Sequence, residues 1–161
     1  MSSDFYHTSI LPFAPIIIKI CRAYTSNQED FEDYYQEVCL QIWRTRDNFK
    51  SQSEWSTWIY KISLNVCLTL LKKKKNKVQE FASDYPDAGS SEEAFSEEDL
   101  NFLYDAIRRL SEIDRAIILL YLEEKSYQEI AQIIGAKANN IGVRINRIKK
   151  RLKKIMNGKV N

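Results

Sequence analysis

The sequence predicts an all-α fold of two small helical domains joined by a flexible acidic linker, and three observations carry this. Apolar residues recur at three- and four-residue spacing along most of the chain and nowhere keep the two-residue alternation of a half-buried strand. The composition, 44% hydrophobic and 29% charged over 161 residues, is that of a folded soluble protein and too apolar for wholesale disorder. Charge is also segregated. Residues 1–77 carry 11 Lys and Arg against 8 Asp and Glu, residues 78–105 carry 0 against 9, and residues 106–161 carry 13 against 5, within a net charge of only +2. Two cationic blocks therefore flank an anionic bridge, a pattern that bears on partners rather than fold.

Taken in order, Pro15 suits a first helical position, and IIIKICRAY makes a short helix ending near TSNQ. A second helix fits EDFEDYYQEVCLQIWR, its apolar surface supplied by Phe31, Tyr34, Tyr35, Val38, Leu40, Ile42 and Trp43. TRDNFKSQS is polar and reads as a loop, with Ser53 as N-cap of the next helix. In that helix Trp55, Ile59, Ile62, Val66 and Leu70 form one predicted buried stripe, while Trp58, Lys61, Asn65, Leu68 and Lys72 occupy a more polar neighbouring face. On this reading Trp55 fills core. Trp58, in line with Lys and Asn, is either core filler or a stacking platform for unpaired bases.

From Val78 to about Asp99 the chain has no positive charge, contains Pro, Gly and Ser, and shows little periodicity, so it reads as a solvated spacer. Its Phe81, Tyr85 and Phe95 leave room for docking. Beyond it, Leu103, Ile107 and Leu110 make a stripe, and Ser111 caps EIDRAIILLYLEE. Ser126 and Glu129 form a capping box for a helix through Ile134, and Gly135 permits the left-handed turn that ends it. Ala138 starts the last helix, where Ile141, Ile145, Ile148, Leu152 and Ile155 bury one side and Asn140, Arg144, Arg147 and Arg151 line another. Helix, Gly-containing turn and helix with an amide and guanidinium face match a DNA-binding helix-turn-helix. Arg pairs with guanine edges, Asn with adenine, and trailing lysines neutralise phosphates.

Other chemistries find little to work with. Cys21, Cys39 and Cys67 are odd in number, widely spaced and set among apolar neighbours, which predicts reduced core thiols. His7 is the sole histidine, too little for a mixed Cys and His zinc site or a hydrolytic triad. Gly89, Gly135, Gly142 and Gly158 are isolated and form no phosphate loop. The expectation is therefore no catalytic site, metal, cofactor or small-molecule substrate. The longest uncharged run, Phe5 to Ile18, is too short for a bilayer and is broken by Pro12 and Pro15, so no membrane insertion and a cytoplasmic location are expected.

With these segments in this order, the chain resembles a bacterial RNA polymerase sigma factor of the extracytoplasmic-function (ECF) group, over nearly its whole length. EDFEDYYQEVCLQIW is similar to the family's region two helix, of the form ED-L-V-Q-E-x-F-L-x-x-W, and SEWSTWIYKISLNVCLTLLKKKK to the following S-F-x-x-W-L-Y-R-I-A-x-N helix with its basic tail. LSEIDRAIILLYLEEKSYQEIAQIIGAKANNIGVRINRIKKRL resembles region four. The resemblance implies a non-enzymatic protein that binds core RNA polymerase, directs it to promoters and helps open the duplex. It implies a region-two-like domain at 1–77, an acidic linker at 78–98 and a region-four-like helix-turn-helix domain at 99–161.

By matching positions, Asp33, Gln36, Glu37, Leu40 and Trp43 would bind polymerase. The loop Phe49, Lys50, Ser51, Gln52 and Ser53 would hold an unstacked base of the minus-ten element, with Trp58, Lys61 and Asn65 beside it. Lys72 and Lys73, with Lys74, Lys75 and Lys77, would bind phosphates. Asn139, Asn140, Arg144 and Arg147 would enter the major groove of the minus-thirty-five element, with Lys125, Ser126 and Tyr127 on its backbone. The acidic linker would thread the polymerase channel later used by RNA. An anti-sigma factor covering the polymerase-binding surfaces is a further expected partner. Gly142 stands where many members have a polar or basic residue, and Lys137 and Ala138 replace the common Ser-Glu start. Two other readings of the residues stand beside this one: a dimeric helix-turn-helix regulator that binds duplex DNA without polymerase, and a helical adaptor for acidic proteins.

Overall fold

The computed structural model of the chain describes residues 1–77 and 97–158, and every element among them is helical. The predicted linker, with Phe81, Tyr85 and Phe95, lies outside the described residues except for Glu97 and Glu98, which open a helix instead of closing a spacer. The chain divides into two compact units, Met1–Pro86 and Asp87–Asn161.

The first unit begins with a helical stretch that the periodicity did not reveal. A short helix α1, Ser3–Phe5, runs into a π-helical turn over Tyr6–Ile10 and a 3-10 turn over Leu11–Phe13. Pro12 and Pro15 lack the amide donors that a uniform α-ladder here would need, so the path changes pitch before it settles. It settles as α2, Ala14–Tyr24, with Pro15 in its first turn as expected. Helix α3, Gln28–Arg44, is capped by Asn27, whose side-chain oxygen accepts from the Asp30 amide at 2.7 Å. A 3-10 turn, Arg46–Asn48, and an irregular loop lead to α4, Trp55–Lys77. The Trp58 amide donates to the Glu54 carbonyl at 3.1 Å, so Glu54 holds the cap position and Ser53 stands one residue outside it.

Helices α2, α3 and α4 pack against one another around Ile17, Ile20, Cys21, Tyr34, Val38, Ile42, Ile59, Leu64 and Cys67, with Ile10 sealing one end. The buried side of α4 differs from the predicted stripe. Ile59, Tyr60, Ser63, Leu64 and Cys67 are buried, whereas Trp55, Ile62, Val66 and Leu70 are half-buried. The helix is therefore turned about 90° from the predicted orientation. Apolar residues surround α4 on most sides, and α2 and α3 select which of them they cover.

All three cysteines are buried and free, one on each packed helix, and the Cys67 and Cys21 sulfurs lie 3.9 Å apart. Burial pushes the Cys39 thiol from 9.0 up to about 11, and it holds the Cys67 thiol well above its ordinary range. A thiol reagent at about pH 8 should label none of them in the native protein and all three in denaturant; rapid native labelling would show that this core opens. The sign of the pH dependence follows from the same shift. Between 9.0 and about 11 the unfolded chain gives up the Cys39 proton while the folded chain keeps it, so stability is retained below that window and falls as pH rises through it.

The second unit comprises α5, Glu97–Arg108; α6, Glu112–Leu122; α7, Tyr127–Ile134; and α8, Ala138–Met156. Ser111 caps α6 by accepting from the Asp114 amide at 3.2 Å. Ser126 and Glu129 complete the expected capping box, each side chain accepting from the other's amide, at 3.1 and 2.8 Å. Those bonds hold the Glu129 carboxyl below its usual range. Gly135 ends α7 at φ 88°, the left-handed conformation that glycine adopts without a Cβ penalty. Ile107, Leu110, Ile117, Leu120, Ile130, Ile141 and Ile145 make the core, with Ile148 and Ile155 extending it along α8. No helix among the described residues is long and apolar enough to cross a membrane.

Candidate nucleic-acid interface

In the first unit the two tryptophans of α4, expected to serve separate faces, join one aromatic cluster. Trp55 and Trp58 have ring centroids 5.2 Å apart with their planes tilted by 30°, and Phe49 packs against both, at 5.0 and 5.5 Å. Phe5 meets Trp43 at 5.2 Å and Trp55 at 6.4 Å, edge to face. Trp55 is thus a half-buried rim residue rather than core, and its indole N–H donates to the Ser9 carbonyl at 2.8 Å. The N-terminal stretch braces this cluster, and the Tyr6 and Tyr35 hydroxyls, 3.1 Å apart, pin it a second time. Burial, then the bond to Tyr6, raises the Tyr35 phenol well above its ordinary value.

The cluster anchors the predicted base-binding loop. Phe49 is its apolar foot, while Lys50, Ser51, Gln52 and Ser53 are exposed beyond it. Ser51 takes φ 61°, a left-handed conformation that a serine adopts at a cost of about 1–3 kcal/mol. Lys61, Asn65, Lys72 and Lys73 are exposed along α4, so the polar face lies where the residue spacing predicts it. Trp58 and Leu68 of that face are half-buried, Trp58 against Trp55. Lys74, assigned to phosphates, forms an ion pair with Asp30.

On α3, Asp33 and Gln36 are exposed and Glu37 and Leu40 half-buried, all on one side at helical spacing. Glu37 pairs with Arg44 at 3.5 Å. Trp43, assigned to the same contact, is half-buried, and the Arg46 guanidinium lies 3.6 Å over its ring and donates to its carbonyl at 2.6 Å. A groove of about 280 Å³ runs between α3 and α4, lined by Glu37, Gln41, Ile62, Asn65, Val66 and Leu70 among others. The three apolar α4 residues expected in the core therefore form its wall.

In the second unit Asn139, Asn140 and Arg147 are exposed on the first turns of α8. Lys137 holds the cap position without a side-chain bond, as the missing Ser-Glu start implied. Arg144 is not on the open face: its guanidinium pairs with the Asp114 carboxylate of α6 at 2.9 Å. It braces α8 against α6 and is half-buried. Tyr127 is exposed at the start of α7, and its ring lies 3.1 Å from where a Cβ on Gly142 would stand. A side chain at Gly142 would therefore crowd the Tyr127 ring by a few tenths of an ångström. Ser126 spends its hydroxyl in the capping box, and beside it Lys125 is half-buried. Val143, which the sequence reading does not single out, is 53% exposed. The signal was available, since it lies across the helix from the isoleucine stripe.

Comparison with known proteins gives the same division. The family description Sigma-70 region 2 matches residues 10–77, and Sigma-70, region 4 matches residues 102–152. The ECF RNA polymerase sigma factor SigG of Mycobacterium tuberculosis is 24% identical over 173 residues, covering 89% of this chain and 46% of its own length. SigW of Bacillus subtilis, also an ECF RNA polymerase sigma factor, is 26% identical, covering 86% of this chain and 81% of its own. This chain thus spans less than half of the mycobacterial relative. Among solved structures, the sigma factor RpoE of Bartonella quintana, in complex with the anti-sigma factor NepR, superposes with a TM-score of 0.79 over 97% of this chain and 98% of that one at 23% identity, a likeness of fold.

Proposed function

This chain belongs to the sigma-70 family of RNA polymerase sigma factors, in its ECF group, and we propose that it binds core RNA polymerase, directs it to specific promoters and assists their opening. The observation that carries this reading is the match of both regions in order, at 10–77 and 102–152, to two helical units that each expose a cationic polar face. In this proposal Asp33, Gln36, Glu37 and Leu40 meet polymerase, and Trp43 acts beneath that surface by holding Arg46. Lys50 to Ser53 form the lip of a pocket for an unstacked minus-ten base. Phe49, Trp55 and Trp58 are its aromatic floor, where stacking is worth about 1–3 kcal/mol per base. Lys61, Asn65, Lys72 and Lys73 follow the strand beside it, with the backbone charge neutralised by the lysines.

In the second unit Asn139, Asn140 and Arg147 read the minus-thirty-five groove, with Lys125, Ser126 and Tyr127 near its backbone. Arg144 supports them from behind. We further infer a cytoplasmic site of action, no chemistry of the protein's own, an acidic linker across 78–98 and an anti-sigma partner of the kind seen with the Bartonella protein. Adding the purified chain to core polymerase is expected to give initiation from a small set of genomic fragments in runoff transcription. Binding to duplex DNA with no association with polymerase would replace this reading with that of a stand-alone regulator.

A further inference from the structure

We propose that Val143 is a specificity determinant of the second unit, packing against the 5-methyl group of a thymine in the major groove; this rests on the DNA-reading role of α8 proposed above. At about 100° per residue, Val143 lies about 140–180° around α8 from Ile141, Ile145, Ile148 and Leu152, so it occupies the centre of the outward face. It is 53% exposed. A single exposed apolar residue on an ordinary surface needs no explanation, but this one has a particular frame. Asn139 and Asn146 stand to one side of it, Asn140 and Arg147 to the other, all exposed. Every charged side chain of α8 is Lys or Arg.

That frame suits a DNA groove better than any apolar partner surface, because the ring of amides and cations around one isopropyl group would be left unpaired against hydrocarbon. Against duplex DNA each part has a match: phosphates for the cations, base edges for the amides, and for the apolar centre the one hydrocarbon group the major groove displays, the thymine methyl. One neighbour also leaves the approach open: Arg144 is turned away to Asp114. Val143 is the sixth residue of α8, within the N-terminal turns that reach base edges in this class of motif.

The test uses the full chain with core polymerase and duplexes randomised across the upstream element. The selected sequences are expected to hold a thymine whose replacement by deoxyuridine, which lacks only the methyl, weakens wild-type binding about fourfold, the worth of one buried carbon. Val143→Ser should bind the thymine and deoxyuridine probes alike, and Val143→Ile should keep the wild-type preference. Val143 is exposed, so both variants should melt as the wild type does. Deoxyuridine without effect at every selected thymine, or the same discrimination retained in Val143→Ser, overturns the inference while leaving DNA reading by the unit intact. A library that yields no preferred sequence overturns both together.

Discussion

Replacing Trp55 with alanine is expected to cost the first unit about 3 kcal/mol of stability, the lower end of the range for a large aromatic because the ring is half-buried. The loss has identifiable parts. Trp55 touches Phe5, Phe49 and Trp58, and its indole N–H holds the Ser9 carbonyl, so its removal unpins the N-terminal stretch and the loop foot together. Trp58→Ala should cost less, since its ring packs on Phe49 and Trp55 and does not reach the N-terminal stretch, yet more than an open-face residue would. All three tryptophans lie in this unit, so their fluorescence in a denaturant titration follows it separately from the other. An unchanged midpoint for Trp55→Ala would mean that the cluster does not hold the loop. A variant that melts early but opens promoters normally once folded would detach the cluster from the proposed pocket.

Arg147→Ala is expected to weaken binding to the upstream duplex by about 1–3 kcal/mol and to relax preference at a single base position. Arg144→Ala should behave differently. Its ion pair with Asp114 has side-chain exposures of 42% and 26%, so the pair is screened and worth at most about 1 kcal/mol. Its loss should weaken all sequences alike, and Asp114→Ala should reproduce the effect, because either change loosens α8 on α6. Measured affinities across a panel of single-base variants separate the two arginines. A positional loss in Arg144→Ala, absent from Asp114→Ala, would return Arg144 to the base-reading set.

The last three helices of the second unit have starts legible in the sequence nearly to the residue, whereas α5 opens at Glu97 inside the stretch that reads as linker. Ser111, Ser126, Glu129 and Gly135 are local signals: each satisfies or terminates a backbone within a few residues of itself, and no distant partner is needed to interpret them. The isoleucine stripe of α8 is equally plain because the rest of that helix is largely polar. The same segregation makes the cationic face visible from residue order alone, and the three core thiols follow from their apolar settings.

Helix α4 marks the limit of such reasoning. With apolar residues on most of its circumference it offers several stripes, and only packing by α2 and α3 decides that Tyr60, Ser63, Leu64 and Cys67 go inside while Ile62, Val66 and Leu70 line a groove. Contacts between residues far apart in the chain are likewise invisible in one dimension: Phe5 on Trp43, Trp55 on Ser9, Arg144 on Asp114. Helix starts, helix ends and the distribution of charge follow from residue order, because they depend on neighbours within one or two turns. Which side of an all-round apolar helix is buried, and which arginine of α8 is drawn into an ion pair with α6, are settled by packing, because those outcomes depend on the surfaces that distant segments present to one another.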